Sequence, residues 1–317
     1  MTKKFGSKVA IIGAGAVGST TAFTIALQQL CTELVLIDVN KDKASGEALD
    51  ITQGLPFIGK LNIYAGDYSD IKDSDLIIVT AGIPRKPGET RLMLAQKNVG
   101  LGKIITQSIM EHYNGGSILV VSNPCDIMTY MITKWSGLPS SKVIGSGTVL
   151  DSARFRTLLA QKLNVDVRSV HGYIIGEHGD SQLPAWSLTN IAGIAIDDYT
   201  KANEIPFTQS DRAEIAEKTR FAGAEVIKLK GATFNAIAVS VATIAQSILK
   251  GENTVRTVGS ILTGQYGIND IVTNVPTIIG GGGIQRVLEV NLDPQELRFL
   301  QDSAEKVRVI LNDVKDI

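Results

Sequence analysis

The stretch Val9-Ala10-Ile11-Ile12-Gly13-Ala14-Gly15-Ala16-Val17-Gly18 decides the fold. Four apolar, largely β-branched residues predict a buried strand. The glycines forbid its continuation, and Ser19–Leu30 reads as the helix that follows. Gly13, Gly15 and Gly18 fall in the spacing G-x-G-x-x-G. Between a strand and a helix, these glycines permit a tight turn, close approach of a pyrophosphate, and close packing of helix on strand. The helix N-terminus then presents unpaired N–H groups and its positive dipole end to phosphate. The next apolar run, Leu34–Ile37, ends at Asp38, twenty residues past Gly18. A carboxylate there accepts both ribose hydroxyls and repels a 2′-phosphate, which favours NAD over NADP. No GK[ST] follows the glycines, so the loop is not that of a phosphate-binding NTPase.

Outward from this unit, Leu76–Val79 and Ile118–Val121 repeat the strand pattern, with Asn62–Tyr64 and Val143–Ile144 as weaker candidates. Continuous apolar strands alternating with helices imply a parallel sheet covered on both faces. Right-handed crossovers then make it a doubly wound, Rossmann-type α/β sheet. The pattern changes near residue 150. A helix is expected from about Leu150, strands at 170–175 and 187–196, and helix over 209–249 broken near Lys230-Gly231. Hairpin strands are expected at 255–262, 268–280 and 284–290, with Gly280–Gly283 as a turn. Asp293-Pro294 opens a last helix as N-cap and first residue. The expectation is an NAD-binding domain over 1–149 and a mixed α+β substrate/catalytic domain over 150–317.

Composition narrows the function. The chain has 317 residues with 44% hydrophobic content, enough for a substantial core, and a net charge of −1, which gives no reason to expect nucleic acid. Cys31 and Cys125 make no disulfide framework, and three histidines without a CxxC make no metal cluster. No apolar run is long enough to span a membrane, and the glycine-interrupted N-terminus reads as no signal peptide. A reduced, cytoplasmic setting with no metal is the expectation.

Three further segments carry chemistry. Gly82-Ile83-Pro84-Arg85-Lys86-Pro87-Gly88-Glu89-Thr90-Arg91 leaves the end of a strand with three cations in ten residues, Arg85, Lys86 and Arg91, or reads as a solvated turn. As a loop it suits closure over an anionic substrate. Gly176-Glu177-His178-Gly179-Asp180 sets a histidine between small neighbours at a strand end, where it could exchange a proton with an alcohol or ketone. In Leu150–Arg156, Asp151 and Arg154 are i and i+3 and share a helix face, while Arg156 points elsewhere. A carboxylate to hold an imidazole thus sits beside a guanidinium that can grip a carboxylate. Alone, the histidine reads more readily as structural or solvent-facing, and the pair as an ordinary helical salt bridge with a surface arginine. Together with a nicotinamide site they are the parts of hydride transfer to a 2-oxo acid.

These pieces in this order resemble the L-lactate and malate dehydrogenase family over nearly the whole chain: GAGAVG at 13–18, Asp38, AGIPRKPGETR at 81–91, NPCD at 123–126, GTVLDSARFR at 147–156, GEHGD at 176–180 and KGAT at 230–233. The resemblance implies roles. His178 is the proton donor to the substrate carbonyl, Asp151 stabilises its imidazolium, and Arg91 polarises the carbonyl. Arg154 binds the substrate carboxylate, Asn123 bonds near the carbonyl and nicotinamide, and Thr233 touches the distal end of the substrate. Ile237 packs on the nicotinamide, and Val17, Ala81 and Gly82 join the cofactor-binding set. Lactate dehydrogenases of the family usually carry glutamine where Arg85 stands, and arginine there marks malate dehydrogenases. GEHGD, VIGSGTVLDSARFR and Thr233 lean to lactate. The reading is therefore interconversion of pyruvate and (S)-lactate, with malate or a broad range of 2-hydroxy acids as the alternative. The positions of Arg156 and His171 match those that bind fructose 1,6-bisphosphate in bacterial lactate dehydrogenases, and the family suggests a homotetramer. A non-catalytic NAD-binding protein would lack the acid/base and the arginines. Sugar-acid or glycosidase relatives would need metal ligands.

Overall fold

The computed structural model describes residues 6–83 and 91–317. Its first half alternates β1 (Lys8–Ile12), α1 (Ala16–Leu27), β2 (Glu33–Ile37), α2 (Lys41–Ile58), β3 (Asn62–Ala65), β4 (Leu76–Val79), α3 (Arg91–Met110), β5 (Ser117–Val120), α4 (Cys125–Ser136) and β6 (Val143–Gly145). The strands pair in parallel in the order β3-β2-β1-β4-β5-β6. Side chains alternate across this sheet, as the period of a strand requires. Ala10, Ile12, Val35 and Ile77 join one apolar layer, and Val9, Ile11, Leu34 and Ile78 the other. Both faces are buried, which is why these strands read as unbroken apolar runs rather than as an alternating pattern.

The second half continues with α5 (Val149–Leu163), β7 (Val170–His171), β8 (Ile174–Ile175), β9 (Leu183–Pro184), β10 (Asn190–Ile191), β11 (Ile194–Ala195), α6 (Ile196–Ala202), α7 (Gln209–Lys230), α8 (Asn235–Lys250), β12 (Thr254–Thr263), β13 (Asn269–Gly280), β14 (Gly283–Val287) and α9 (Pro294–Val314). Asp293 caps α9 by accepting from Gln295 N–H, and Glu296 completes the capping box. The break expected near Lys230-Gly231 is the end of α7, where Gly231 has φ +85°.

Three expectations need correction. The stretch at 170–175 is two strands in different sheets. The chain bends between them at Gly172, where a Cβ would lie 2.7 Å from the Phe155 ring. The stretch at 187–196 is a short helical turn, Trp186–Leu188, followed by a tight hairpin through Ala192 and Gly193, both left-handed. The last strand stops at Val287 rather than 290. The β12–β14 hairpins are also not a separate sheet. They extend the parallel sheet from its β6 edge through the antiparallel pair Gly145–Gly259, giving one nine-stranded sheet.

Candidate active site

The glycine loop is built as its spacing implies. Gly13 has φ +102°, and a Cβ there would lie 2.7 Å from the Ala81 nitrogen. A Cβ on Gly18 would fall 1.8 Å from the Gly13 carbonyl oxygen, so α1 packs on the strand end only without one. Gly15 faces open space, as a position approached by a ligand backbone requires. Asp38 turns its carboxylate back onto this loop, accepting Ala14 N–H at 2.6 Å and Asn40 N–H at 2.9 Å. The open glycine, the uncapped start of α1 among described residues and the carboxylate at the end of β2 fit a dinucleotide without a 2′-phosphate.

The end of β8 and the start of α5 converge through two hydroxyls. Thr148 Oγ1 donates to the Ile174 carbonyl at 2.5 Å, and Ser152 Oγ accepts Ile174 N–H at 2.8 Å. This stitching sets Asp151 opposite His178. His178 Nδ1 lies 2.7 Å from Asp151 Oδ2, and Arg154 Nη1 donates to Asp151 Oδ1 at 2.9 Å. Burial disfavours the imidazolium. The charge and hydrogen bond of Asp151, joined by the charge of Asp126, overcome it and raise the His178 pKa to about 9. Burial likewise pushes the Asp151 carboxyl up, but His178 and Arg154 outweigh it and hold the group below its ordinary value.

His178, Asp151 and Arg154 line a cavity of about 510 Å³ that Asn123, Thr233 and Ile237 also line. Val17, from the glycine loop, lines the same cavity. Residues expected on the cofactor side and on the substrate side therefore line one space. Ala81 and Gly82 directly precede Ile83, which lines the cavity, and Ser122 Oγ donates to the Ala81 carbonyl at 2.5 Å. Arg85 lies outside the described residues, and Arg91 is described only as the first residue of α3. Arg156 turns away from the cavity, as its helix position implies. Its Nε donates to the Val170 carbonyl at 2.8 Å, beside exposed His171 in β7.

Three polar residues of the site were not singled out by sequence. Buried Asn98 accepts Ile83 N–H at 2.7 Å and donates to the Asn123 carbonyl at 2.8 Å, tying Ile83 to the segment that follows β5. Asp126 accepts His178 N–H at 2.7 Å, and Asn274 donates to Asp126 at 2.9 Å. The available signal was a polar residue inside an apolar stretch: Asn98 within the apolar positions of α3, Asn274 within Ile271–Pro276. Neighbouring Cys125 is fully buried, and burial pushes its thiol up to about 11, leaving it an unreactive core residue. Among the described residues, no group of three or more metal-ligating side chains converges, and no helix is long and apolar enough to cross a membrane.

Comparison with known proteins agrees with this geometry. Residues 7–145 match the lactate/malate dehydrogenase NAD binding domain, and residues 148–317 match the lactate/malate dehydrogenase alpha/beta C-terminal domain. An L-lactate dehydrogenase of Thermoanaerobacter sp. (strain X514) is 48% identical over 308 residues, covering 97% of this chain and 99% of the relative. An L-lactate dehydrogenase of Lacticaseibacillus casei is 45% identical over 99% of this chain and 96% of its own. The solved minor L-lactate dehydrogenase of Enterococcus mundtii in its ligands-bound form superposes with a TM-score of 0.95 at 40% identity, covering 98% of this chain and 99% of the other. The solved L-lactate dehydrogenase of Clostridium thermocellum superposes with a TM-score of 0.87 at 57% identity and the same coverage. The chain belongs to the lactate/malate dehydrogenase family and is an NAD-dependent dehydrogenase acting on a 2-hydroxy acid.

Proposed function

We propose that the enzyme is an L-lactate dehydrogenase interconverting pyruvate and (S)-lactate. The observation that carries the reading is the Arg154–Asp151–His178 chain in a cavity shared with Val17 and Ile237 of the cofactor side. NAD, when bound, supplies or accepts the hydride at C2 of the substrate. Arg154 holds the substrate carboxylate and so orients C2. Asp151 holds Nδ1 of His178, which leaves Nε2 to give its proton to the carbonyl oxygen as negative charge develops there. Asn123 bonds near that oxygen, Arg91 stabilises the same charge, and Thr233 meets the methyl end. Ile237 packs on the nicotinamide; Gly13, Gly15, Val17, Gly18, Asp38, Ala81 and Gly82 hold the rest of the dinucleotide.

The lactate-named relatives support pyruvate as the oxo acid, while Arg85 supports oxaloacetate as an alternative substrate. A cation facing the methyl of pyruvate is costly if buried unpaired, and a second carboxylate pairs with it. Paired kinetics with pyruvate and oxaloacetate test the reading. A kcat/KM favouring oxaloacetate by an order of magnitude overturns it. The proximity of Arg156 to the strand carrying His171 supports a fructose 1,6-bisphosphate site there, checked by titrating the sugar phosphate against pyruvate saturation. A homotetramer in the cytoplasm, with the chain divided at 149/150 into NAD-binding and catalytic domains, completes the reading.

A further inference from the structure

His178 is held at two points by two buried carboxylates on different helices. Asp151, in α5, takes the ring nitrogen, and Asp126, in the first turn of α4, takes the backbone N–H at 2.7 Å. The second oxygen of Asp126 accepts from Asn274 Nδ2 at 2.9 Å, and the same nitrogen donates to the Gly176 carbonyl at 2.7 Å. Two acceptors fix which end of the amide is nitrogen. The backbones of Gly176 and Asn274 also bond reciprocally, at 2.9 and 3.1 Å. The histidine loop thus hangs from β13 by three hydrogen bonds and from α4 by one.

Space for this fastening is cleared by glycines. Asn274 pairs with Gly259 in the β12–β13 ladder, and Gly259 pairs with Gly145 in β6. A Cβ on Gly259 would lie 2.8 Å from Asn274 Oδ1, and one on Gly147, which has φ +54°, would lie 2.2 Å from it. Neither Asp126 nor Asn274 is solvent-accessible beyond 4%. A carboxylate suits this place because each of its two oxygens accepts from a different donor, His178 N–H and Asn274 Nδ2, where an amide offers a single acceptor oxygen.

We propose that Asp126 is a positioning residue for His178: its carboxylate, oriented by Asn274, fixes the histidine loop through the His178 N–H, and its charge supports the imidazolium alongside Asp151. The proposal rests on the reading of His178 as the acid/base. Among the described residues, the charged groups around the histidine are Asp151 and Arg154 from α5, Asp126 from α4, Glu177 and Asp180 from its own loop, and Arg220 from α7 on the cavity wall. Asp151 and Asp126 favour the imidazolium, and Arg154 opposes it. Burial raises the Asp126 pKa to about 6, partly countered by Asn274 and His178, so its charged form gains as pH rises through that value.

Asp126→Asn keeps the shape, removes the charge and turns one of the two acceptor oxygens into a donor. The test compares it with the parent, both bound to NADH. NADH affinity, kcat and KM for pyruvate as functions of pH, and the NMR titration of His178 are measured. The histidine is assigned against His178→Gln in a chain with three histidines. The expected result is NADH affinity within about twofold, kcat lowered about tenfold, KM little changed, and a His178 midpoint lowered by roughly half a unit or more. Asn274→Ala, which leaves the Asp126 carboxyl in place but less favourable to its charge, moves the midpoint the same way and answers the question if Asp126→Asn does not fold. An unshifted midpoint in a folded variant overturns the proposal, whether or not activity falls. A parent inactive on pyruvate and oxaloacetate overturns the proposed function instead, and the titration still reads the effect of Asp126 on His178.

Discussion

Asp151 Oδ2 and His178 Nδ1 stand 2.7 Å apart, with the carboxylate buried and the imidazole reaching into the cavity. This contact commits one ring nitrogen to the protein and, in the proposed function, leaves the other for the substrate. His178→Gln should therefore lower kcat for pyruvate reduction by about two to four orders of magnitude. NADH binding, followed by fluorescence, should stay close to the parent. Equal loss of both would show that the histidine serves the fold rather than the chemistry.

The direction of the pH profile follows from the same pair. Reduction needs the imidazolium, and the His178 pKa is raised to about 9. Pyruvate reduction should be flat through neutrality and fall as pH rises through that value, while lactate oxidation should gain over the same range. Asp151→Asn removes the attraction that raises the pKa, so its alkaline limb should appear at lower pH with a reduced plateau. A limb that stays in place would mean another group controls the proton.

The glycine loop predicts a separation of stability from binding. Gly18→Ala drives a Cβ into the Gly13 carbonyl, and Gly13→Ala forces a left-handed residue against Ala81. Each should destabilise by about 1–3 kcal/mol, read as a lowered Tm without cofactor. Gly15→Ala meets no atom within 4 Å and should keep the Tm while weakening NADH. Loss of Tm at Gly15 would contradict the open space there.

Arg85→Gln should lower kcat/KM for oxaloacetate and raise it for pyruvate, changing their ratio by about tenfold or more. An unchanged ratio would place the arginine away from the substrate.

In the proposed function Asp38 discriminates by charge. Asp38→Ser should narrow the preference for NADH over NADPH by about tenfold or more, chiefly through tighter NADPH. Initial rates with each cofactor at matched pyruvate decide it.

What was readable from sequence shares a physical property: the pieces are contiguous. The glycine loop, Asp38 at the end of its strand, and the Asp151/Arg154 pair are fixed by spacing within one or two elements. His178 was recognisable from its neighbours, but its partner was not given by spacing, since Asp151 lies 27 residues away. Asn98, Asp126 and Asn274 escaped because their partners are distant and their residue types are ordinary. The Asp126–Asn274 bond spans 148 residues. The attachment of β12 to β6 was hidden for the same reason. A single glycine pair across the edge of a sheet leaves no periodic trace, although the hairpin strands themselves were foreseen.

That edge pair also bears on how the protein can be taken apart. The family models divide the chain between residues 145 and 148, yet the sheet runs across this point and one apolar layer joins Ile12 and Val120 to Ile175, Leu262 and Leu311. A fragment ending near residue 146 would carry a bare β6 edge and an uncovered apolar face, an invitation to stick to its own kind. The two family models part at this join, but the continuous sheet and the shared apolar layer give neither side a finished surface there.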